Sequence, residues 1–597
     1  MQQLKQETLP AFLFSTPPVV PFVPENTVCQ CGEQLVVQKT RCKTVLSMIG
    51  PFVAHETLLH CRSCTRIFAP ETLQRMVPKW CNVGYDVLVF VGQALFQRFR
   101  TIREVSSELY LRNVQISDSE ISYLGYKFIS CLAACHQEAT PRIRQSMELS
   151  GGYILHLDAT HDGNAPALMT GIDSLSEIVL GNVKIPSEHT DHIVPFLQKL
   201  QKNFGTPQAC VHDMGKGICK AITKVFPGIP DFICHFHFLR DIGKDFLEPA
   251  YSSLRICLRE NKISPRLHTL AREMTQRLSE HDSDPELLAK AFLSGELPEN
   301  TDLLPLASAY SMTLWMLRGK HSGDGYGFPF DRPLLVFAER LLEGQQHLLK
   351  LLARCPDTDK IGKQSALKLV RIVSDIINDS QFQQEVKELH WRCQVFDSLR
   401  ETMRIAPPNG KNGLNDDGTN EAISTIRAGV IRFRSKLDSD VKWSTDKLCR
   451  KMAKQIDKWN EKLFADPIEV DTPQGTITIY PQRTNNILEQ FFRGIRQGQR
   501  RRTGNNTLRP IIQTVLADTP LVKNLDSDEY MKILLDGKES LEALFADLEA
   551  TTMVRSAGLP AEVDRLLPGF RKLITQLNLP KQVAYLLSKN EILIKSN

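Results

Sequence analysis

The sequence lacks the features that mark membrane, fibrous and disordered proteins. No apolar run approaches the ~18 residues that a membrane helix needs, and there is no internal repeat or low-complexity tract. Charge of one sign is also scarce, since 73 Lys and Arg residues face 68 Asp and Glu residues, a net charge of +5. So small an excess neither requires nor excludes nucleic acid as a partner. The composition of these 597 residues, 42% hydrophobic and 24% charged, predicts a globular protein of about four domains with no membrane partner.

A secretory signal is not recognisable either. Four prolines interrupt the apolar stretch AFLFSTPPVVPFVP near the N-terminus and Pro10 precedes it, so this stretch does not predict the apolar helix of a signal peptide. We predict an extended arm over residues 1–24 and an intracellular location. In a reducing compartment the fifteen cysteines indicate metal binding or packing rather than disulfides.

Four cysteines stand in two close pairs that predict a metal site. They are Cys29, Cys31, Cys61 and Cys64. The β-rich segments between the pairs predict a hairpin that brings them together, and four thiolates on two turns suit one tetrahedral structural Zn²⁺. We therefore predict a zinc ribbon over residues 25–80. The C-x-C spacing of the first pair is less usual than C-x-x-C, so Cys42 and His60 stay as alternative ligands.

Two capping boxes follow in a helical region, residues 85–148. Thr101-x-x-Glu104 and Ser117-x-x-Glu120 each predict the start of a short amphipathic helix. Helix, short turn, helix is the layout of a helix-turn-helix, whose second helix would enter a groove of DNA. A purely structural three-helix domain is the alternative.

Strands and helices alternate over residues 151–247. Three antiparallel strands are predicted first, at YILHLDATHDG, PALMTGIDS and SEIVLGNVKI. They are followed by a helix near 188–202, the strand ACVHDM, the helix GKGICKAITKVFP and the strand DFICHFHF. This is the element order of the ribonuclease H-like fold. Asp158 lies in the C-terminal half of the first strand and Asp213 ends the fourth. Because strand ends of such a sheet meet at one edge, we expect the two carboxylates to be neighbours.

A third acid, Glu489, lies in a predicted helix that opens with Asn485 as its cap. Converging carboxylates repel one another unless a cation lies between them, and Mg²⁺ prefers carboxylate and water oxygens. Two such ions can activate water and stabilise the leaving oxygen of a phosphodiester. We therefore predict two Mg²⁺ (or Mn²⁺) ions at Asp158, Asp213 and Glu489.

Arginines accumulate immediately after Glu489. Six of them, and no acid, lie between Phe491 and Pro510. At 100° per residue, several share a stripe of the helix with Glu489, and guanidinium groups bind phosphate oxygens bidentately. The alternative is a solvated basic face. Beside the two aspartates we predict DNA contacts by Arg493, Arg496, Arg500, Arg501 and Arg502.

Four motifs resemble those of DDE transposases of the ribonuclease H-like superfamily. They are LDATHDG, HDMGKGICKAITKVFP, CHFHF and TNNILEQFFRGIRQGQRRRTG. More narrowly they resemble insertion-sequence transposases with an N-terminal zinc ribbon and helix-turn-helix, and the related Mutator-like transposases. The resemblance covers about 25–250 and 480–510. It implies that Asp158, Asp213 and Glu489 are the catalytic triad.

The resemblance also implies a C-x-x-H signature at Cys234 and His237, which we place near the site as structural residues on the last core strand. Asp162 competes with Asp158 as the first acid. Asp158 fits better because the predicted strand runs directly into it.

The sequence as a whole predicts a transposase that binds double-stranded DNA. It would recognise the terminal inverted repeats of its own element, cut there and join the freed 3′ hydroxyl to target DNA. The family implies a homo-oligomeric synaptic complex, associated with DNA in a nucleoid or a nucleus. Two alternatives are a domesticated transposase acting as a non-catalytic DNA-binding regulator, and a ribonuclease H-like metal-dependent nuclease acting on RNA or on junctions.

The predicted fold class is a multidomain α/β protein whose mixed-sheet core carries a large all-α insertion. In the insertion, Trp315 and the loop His321–Pro333 either pack or approach DNA, and acidic helices near the C-terminus predict a docking or dimer surface. The predicted domains are an arm (1–24), a zinc ribbon (25–80), a helix-turn-helix domain (85–148), the first part of the core (151–247), a helical insertion (248–480), the glutamate helix of the core (481–510) and a C-terminal helical region (511–597).

Overall fold

The protein is a mixed α/β chain with several sheets and many helices. The structure, a computed structural model, describes residues 16–551 and 579–586, apart from 161, 163–164, 281–289, 291, 296–302, 356–359, 407–419, 506, 508, 510–511 and 513–514. No helix within these ranges is both long and apolar enough to cross a membrane.

The N-terminal unit is a four-stranded sheet followed by a short helix. Its elements are β1 (Val19–Phe22), β2 (Val36–Ser47), β3 (Gly50–His60), β4 (Ile67–Phe68) and α1 (Glu71–Met76). The predicted hairpin is confirmed as the antiparallel pair of β2 and β3. β1 pairs in parallel with β3, so part of the predicted arm is a strand of this sheet. Residues 1–15 of the arm lie outside the described ranges.

The next unit is helical, as the sequence predicts. Its helices are α2 (Tyr85–Gly92), α3 (Ile102–Leu111) and α4 (Asp118–Leu149). Thr101 and Glu104 form a full capping box, and Ser117 Oγ accepts a hydrogen bond from the Glu120 N–H. The predicted length of the second helix is wrong, because α4 has 32 residues. Its apolar side stays buried along its whole length, from Ile121 to Met147, and packing on the core therefore extends it.

The core is a five-stranded mixed sheet in the order β7-β6-β5-β8-β9. Its elements are β5 (Ile154–Thr160), β6 (Ala167–Asp173), β7 (Val179–Ile185), α5 (Thr190–Phe204), β8 (Ala209–His212), α6 (Lys216–Val225) and β9 (Asp231–Ile233). The predicted meander is confirmed, since β5, β6 and β7 are antiparallel. β8 and β9 continue the sheet in parallel with β5.

The fifth strand is shorter than predicted. It ends at Ile233, and Cys234 is the N-cap of α7 (His235–Glu260), so Cys234 and His237 do not lie on a core strand. The aromatic run looks strand-like in isolation. Its apolar residues continue at helical spacing, and Phe238, Ile242 and Phe246 are buried on one side of α7.

Long helices make up most of the insertion. They are α8 (Ile263–Ser279), α9 (Leu304–Arg318), α10 (Pro333–Arg354), α11 (Lys360–Ile377), α12 (Ser380–Met403), α13 (Asn420–Ser439), α14 (Val441–Thr445) and α15 (Lys447–Leu463). The predicted all-α character is wrong at its end, where β10 (Ile468–Thr472) and β11 (Gly475–Ile479) form a hairpin. Ile479 packs with Ile154 and Val211, so the hairpin covers one face of the core sheet.

Within the insertion, Trp315 and the predicted loop both pack on protein. The Arg340 guanidinium lies 4.9 Å from the centre of the Trp315 ring, which keeps 37% of its surface exposed. In the loop, Phe330 stacks on Phe236 of α7 at 4.9 Å. These contacts show that both features pack on the protein, and an approach of the exposed part of Trp315 to DNA stays a prediction.

The C-terminal region returns to the N-terminal helices. It comprises α16 (Asn486–Thr503), a 3₁₀ segment (Thr519–Asp526), α17 (Asp528–Leu535) and α18 (Leu541–Thr551). Tyr530 Oη lies 2.9 Å from His136 Nδ1 of α4, and Phe545 meets Phe128 edge to face at 5.7 Å. The apolar sides of the helices predicted as a docking or dimer surface are therefore occupied by the chain itself.

Candidate active site and metal centre

Asp158 and Asp213 stand side by side at one edge of the core sheet. The parallel ladder of β5 and β8 aligns Leu157 with His212 as its last pair. The next residues in register are the two aspartates, on strands that lie about 4.8 Å apart. One carboxylate oxygen of each is held locally. Asp158 Oδ1 accepts from the Ala159 N–H at 2.8 Å, and Asp213 Oδ1 from the Gly215 N–H at 2.9 Å.

The two aspartates and Glu489 share one electrostatic environment. Burial, and next the negative charge of Asp213, raise the pKa of Asp158 to about 8, with smaller contributions from Glu489 and Glu188. Burial also raises the pKa of Glu489, which lies in the first turn of α16. The predicted third acid is thus close enough to the strand-end pair to affect its ionisation.

Asp162 lies outside this group. Its Oδ2 accepts a hydrogen bond from the Arg509 N–H at 3.2 Å, and it follows the end of β5 by two residues. The structure therefore brings Asp158, and not Asp162, next to Asp213.

Asn485 fixes the position of the glutamate helix. It stands at the N-cap of α16, but its side chain makes no cap hydrogen bond, so the predicted capping role is wrong. Instead Nδ2 donates to the Leu157 carbonyl oxygen and Oδ1 accepts from His156 Nδ1, both at 2.9 Å. Its backbone N–H donates to Cys234 Sγ at 3.2 Å. The fully buried side chain thus ties α16 to β5, because the strand holds an acceptor and a donor at the right spacing.

Cys234 and His237 lie beside the site, where the sequence places them. Burial raises the pKa of the Cys234 thiol to about 12, so it stays protonated and serves as a packing and hydrogen-bonding group. His237 Nε2 lies 3.6 Å from Glu489 Oε1. Burial and the charge of Arg240 lower the pKa of His237 to about 4, so its imidazole is neutral near pH 7.

A second support for the site was missed by sequence reasoning. The His212 ring contacts the Asp213 carbonyl oxygen through Nδ1 and Asp231 through Nε2. Asp231 also pairs with Lys462 of α15. Burial opposes ionisation of Asp231, but the His212 and Lys462 contacts hold its pKa below the usual range. The insertion therefore contributes directly to the position of β8.

A close backbone approach positions the loop before α5. A Cβ built on Gly217 would lie 1.9 Å from the Glu188 carbonyl oxygen, and Thr190 Oγ1 donates to the Gly217 carbonyl at 3.3 Å. Only glycine fits here. The first turn of α6 can therefore pass directly under the segment that carries Glu188, one of the acids near Asp158.

Positive charge surrounds Glu489 on one side. Arg240, Arg493 and Arg496 lower its pKa and so oppose the larger effect of burial. Arg240 lies on α7, one turn after His237, and sequence reasoning missed it because α7 was expected to begin as a strand. The glutamate is thus flanked by guanidinium groups from two helices.

The five predicted DNA-binding arginines do not have equal access to solvent. Arg493, Arg496, Arg500 and Arg501 are exposed, as a phosphate-binding group must be. Arg502 is half-buried, with its guanidinium 5.9 Å from the centre of the Phe96 ring, and burial lowers its pKa. Arg502 therefore packs against the helical unit.

The predicted helix-turn-helix pair has an acidic start to its second helix. Asp118 and Glu120 lie in the first turn of α4, while Ile121, Leu124 and Phe128 are buried against the core. DNA binding through this helix stays a prediction.

The four predicted zinc ligands converge. The sulfur atoms of Cys29, Cys31, Cys61 and Cys64 all lie within 4.8 Å of one another, with 3.5 Å between Cys29 and Cys64 and 3.4 Å between Cys31 and Cys61. A tetrahedral Zn²⁺ with Zn–S bonds of about 2.3 Å places its sulfurs about 3.8 Å apart. The set could therefore hold a structural metal such as zinc.

The alternative ligands Cys42 and His60 are not part of this cluster. Cys42 lies exposed on β2, opposite His55. Among the residues that the structure describes, no other group of three or more possible metal ligands lies as close together as these four cysteines. The three carboxylates are more widely spaced.

No protein-family model and no curated protein matches this chain. Its function must be inferred from the site itself.

Proposed function

We propose that this chain is a DDE-type transposase with a ribonuclease H-like core, which cleaves and joins DNA strands with divalent metal ions. The observation that carries the proposal is the register of β5 and β8, which sets Asp158 beside Asp213, with the helix of Glu489 attached to the same strand through Asn485. The strand order, with three antiparallel strands followed by two parallel ones, supports the proposed fold.

The spacing of the acids along the chain supports the same assignment. Glu489 follows Asp213 by 489 − 213 = 276 residues. The intervening residues form mostly helices that return the chain to the sheet edge, where Lys462 supports β8 through Asp231. This is the arrangement expected of a transposase core with a large insertion before the glutamate helix.

The donor set fits divalent metal. Asp158, Asp213 and Glu489 would hold two Mg²⁺ or Mn²⁺ ions, which supply an activated water and a positive charge at the leaving oxygen. Burial, and next the negative charge of Asp213, raise the pKa of Asp158, so both effects oppose a second negative charge there unless a cation binds. Metal binding would draw them closer together, since they are not all within 4.8 Å now.

The chain's own residues position the DNA and the acids. The exposed Arg493, Arg496 and Arg500 form an edge next to Glu489 that can bind successive phosphates of a strand. Neutral His237 contacts Glu489 without neutralising its charge. In-line displacement at phosphorus requires chiefly this kind of positioning and charge stabilisation.

The N-terminal units are the proposed end-binding part. The ribbon with its structural zinc and the helices α3 and α4 would recognise the terminal inverted repeats of the element. Two ends must be held together, so a homo-oligomer in a synaptic complex, associated with cellular DNA, completes the proposal.

The test uses the DNA that flanks the gene. Terminal inverted repeats with a short target duplication are expected there, and full-length protein should cut a duplex carrying them when Mg²⁺ is added. Binding of those ends without cleavage would indicate the non-catalytic regulator instead. Cleavage of RNA or junctions with no cleavage of the ends would indicate the nuclease.

A further inference from the structure

A cavity of about 700 Å³ lies against the glutamate helix. It is open at one side, and its wall includes Thr160, which follows Asp158 by two residues and so lies on the same face of β5. The cavity is therefore next to the proposed site. The cavity is also lined by two aromatic residues and three amide residues, Phe96, Phe491, Gln482, Asn486 and Gln490.

The side chains of α16 sort into three faces. At 100° per residue, an apolar face holds the buried Leu488, Phe491 and Phe492. A second face, the arginine face, holds Glu489, Arg493, Arg496 and Arg500. A third face, the amide face, is centred roughly 85° from the centre of the arginine face by the same arithmetic. Its members are Asn486, Gln490, Gly494 and Gln497.

The amide face leads into the cavity. Asn486, Gln490 and Gly494 line it, whereas Gln497 lies two turns beyond Gln490 and does not. A Cβ built on Gly494 would meet nothing within 4 Å, so the glycine leaves the cavity open at this point. A strand whose phosphates follow the arginine face would consequently pass the cavity opening.

The lining suits a nucleobase. Within the described ranges, the side-chain amides of Gln482, Asn486 and Gln490 make no hydrogen bond to the protein, so they are available to a ligand. Each amide offers a donor and an acceptor together, the pattern that pairs with the N6 and N7 positions of adenine. Phe96 and Phe491 add aromatic surface on which a base can stack.

We propose that this cavity receives an unpaired base, adenine by preference, from the DNA strand that the arginine face holds. The proposal rests on the proposed function, since it places the base beside the strand to be cut. It goes further in naming a base-reading element inside the core, separate from the N-terminal units that would recognise the ends.

The test measures the affinity of full-length protein for short single-stranded homopolymers of deoxyadenylate, deoxycytidylate and thymidylate of equal length, by fluorescence anisotropy at one salt concentration. The wild-type protein should bind the deoxyadenylate oligomer most tightly. Gln490→Ala should weaken that binding about tenfold and reduce the difference among the three probes.

A second variant fills the cavity without removing a hydrogen-bonding group. In Gly494→Leu the new side chain has open space, and leucine favours helix more than glycine does. The melting temperature of this variant should therefore not fall. It should still lose the preference for deoxyadenylate. Gln497→Ala is the matched control, the same substitution on the same face outside the cavity, and should leave all three affinities unchanged.

Equal affinity of the wild-type protein for the three probes would overturn the proposal, and so would an unchanged preference in both cavity variants. The proposed function would be contradicted by a different result, namely that the protein binds DNA but does not cleave it when a divalent metal is added. The two results are therefore distinguishable.

Discussion

Asn485 Nδ2 donates a hydrogen bond to the carbonyl oxygen of Leu157 at 2.9 Å, across 328 residues of sequence. Leu157 precedes Asp158, and Asn485 precedes Glu489 by one helical turn. The same asparagine receives a hydrogen bond from His156 and donates its N–H to Cys234, at the start of α7. One buried asparagine, through its side chain and its backbone N–H, thus joins the three elements that carry Asp158, Glu489 and His237.

We expect Asn485→Ala to lower the free energy of unfolding by about 2–4 kcal/mol, because the Leu157 carbonyl and the His156 ring both lose their partner in a buried place. Urea denaturation measures this change. Asn486→Ala, the neighbouring and half-exposed asparagine, should alter it by less than about 0.5 kcal/mol. Equal effects of the two substitutions would contradict the positioning role of Asn485.

Neutralising any one of the three acids should stop DNA cleavage and spare DNA binding. Asp158→Asn, Asp213→Asn and Glu489→Gln each keep the shape of the side chain but remove a charge that metal binding needs. We expect cleavage of an end duplex at the level of a protein-free control, with end binding in a gel-shift assay close to wild type. Asp162→Asn should cleave normally. Full cleavage by any of the first three variants would remove that residue from the triad.

Without added magnesium, the stability that Asp158 contributes should fall as pH rises from about 4 to about 8. The pKa of Asp158 is raised to about 8 in the folded protein and is near 3.9 when unfolded. In this window the folded state binds the extra proton at Asp158, so the stability that this residue contributes falls as pH increases. Buried histidines such as His237, whose pKa is lowered to about 4, act in the opposite direction below about pH 6.5. The measurement is therefore the melting temperature of the wild-type protein minus that of Asp158→Asn, which should decrease across this range.

Magnesium should act in the opposite direction. A divalent ion replaces the proton between the carboxylates, so added Mg²⁺ should raise the melting temperature more at pH 8 than at pH 5. The buffer should contain no chelator, because a chelator would also affect the cysteine site. A stabilisation that does not depend on pH, or that persists fully in Asp158→Asn, would place the ion elsewhere.

The purified protein should contain about one zinc ion per chain. Cys61→Ser removes one of four ligands and should reduce the zinc content and unfold the ribbon, since such small units depend on their metal. Elemental analysis and circular dichroism are the measurements. Cys42→Ser changes an exposed cysteine outside the cluster and should leave both unchanged. Loss of zinc from that variant instead would reassign the ligand set.

Local pattern was enough to predict the strands and helices of the core and the convergence of the four cysteines. Short apolar runs and turn residues define β5, β6 and β7, and two close cysteine pairs need only one hairpin between them. One error came from a segment whose local pattern is ambiguous. The aromatic run after Ile233 fits a strand or a helix, and burial in the final structure decides for α7.

The supports of the site could not be predicted in the same way. Asn485 has the sequence of an ordinary cap, and only its distance from Leu157 and His156 reveals its role. The contacts from His212 to Asp231, and from Asp231 to Lys462, join residues 19 and 231 positions apart. No periodicity links such partners, because they meet only after the insertion has folded back on the sheet.

The long separation of Asp213 from Glu489 has a consequence during translation. After Asp158 and Asp213 have been synthesised, the ribosome must still add 276 residues to reach Glu489. Asn485, which attaches the glutamate helix to β5, is made only four residues earlier. The helices that pack on α4 come later still. A chain cut short by a stop codon or a stalled ribosome would therefore be left without its third acid, and under the proposed function it could not cut DNA.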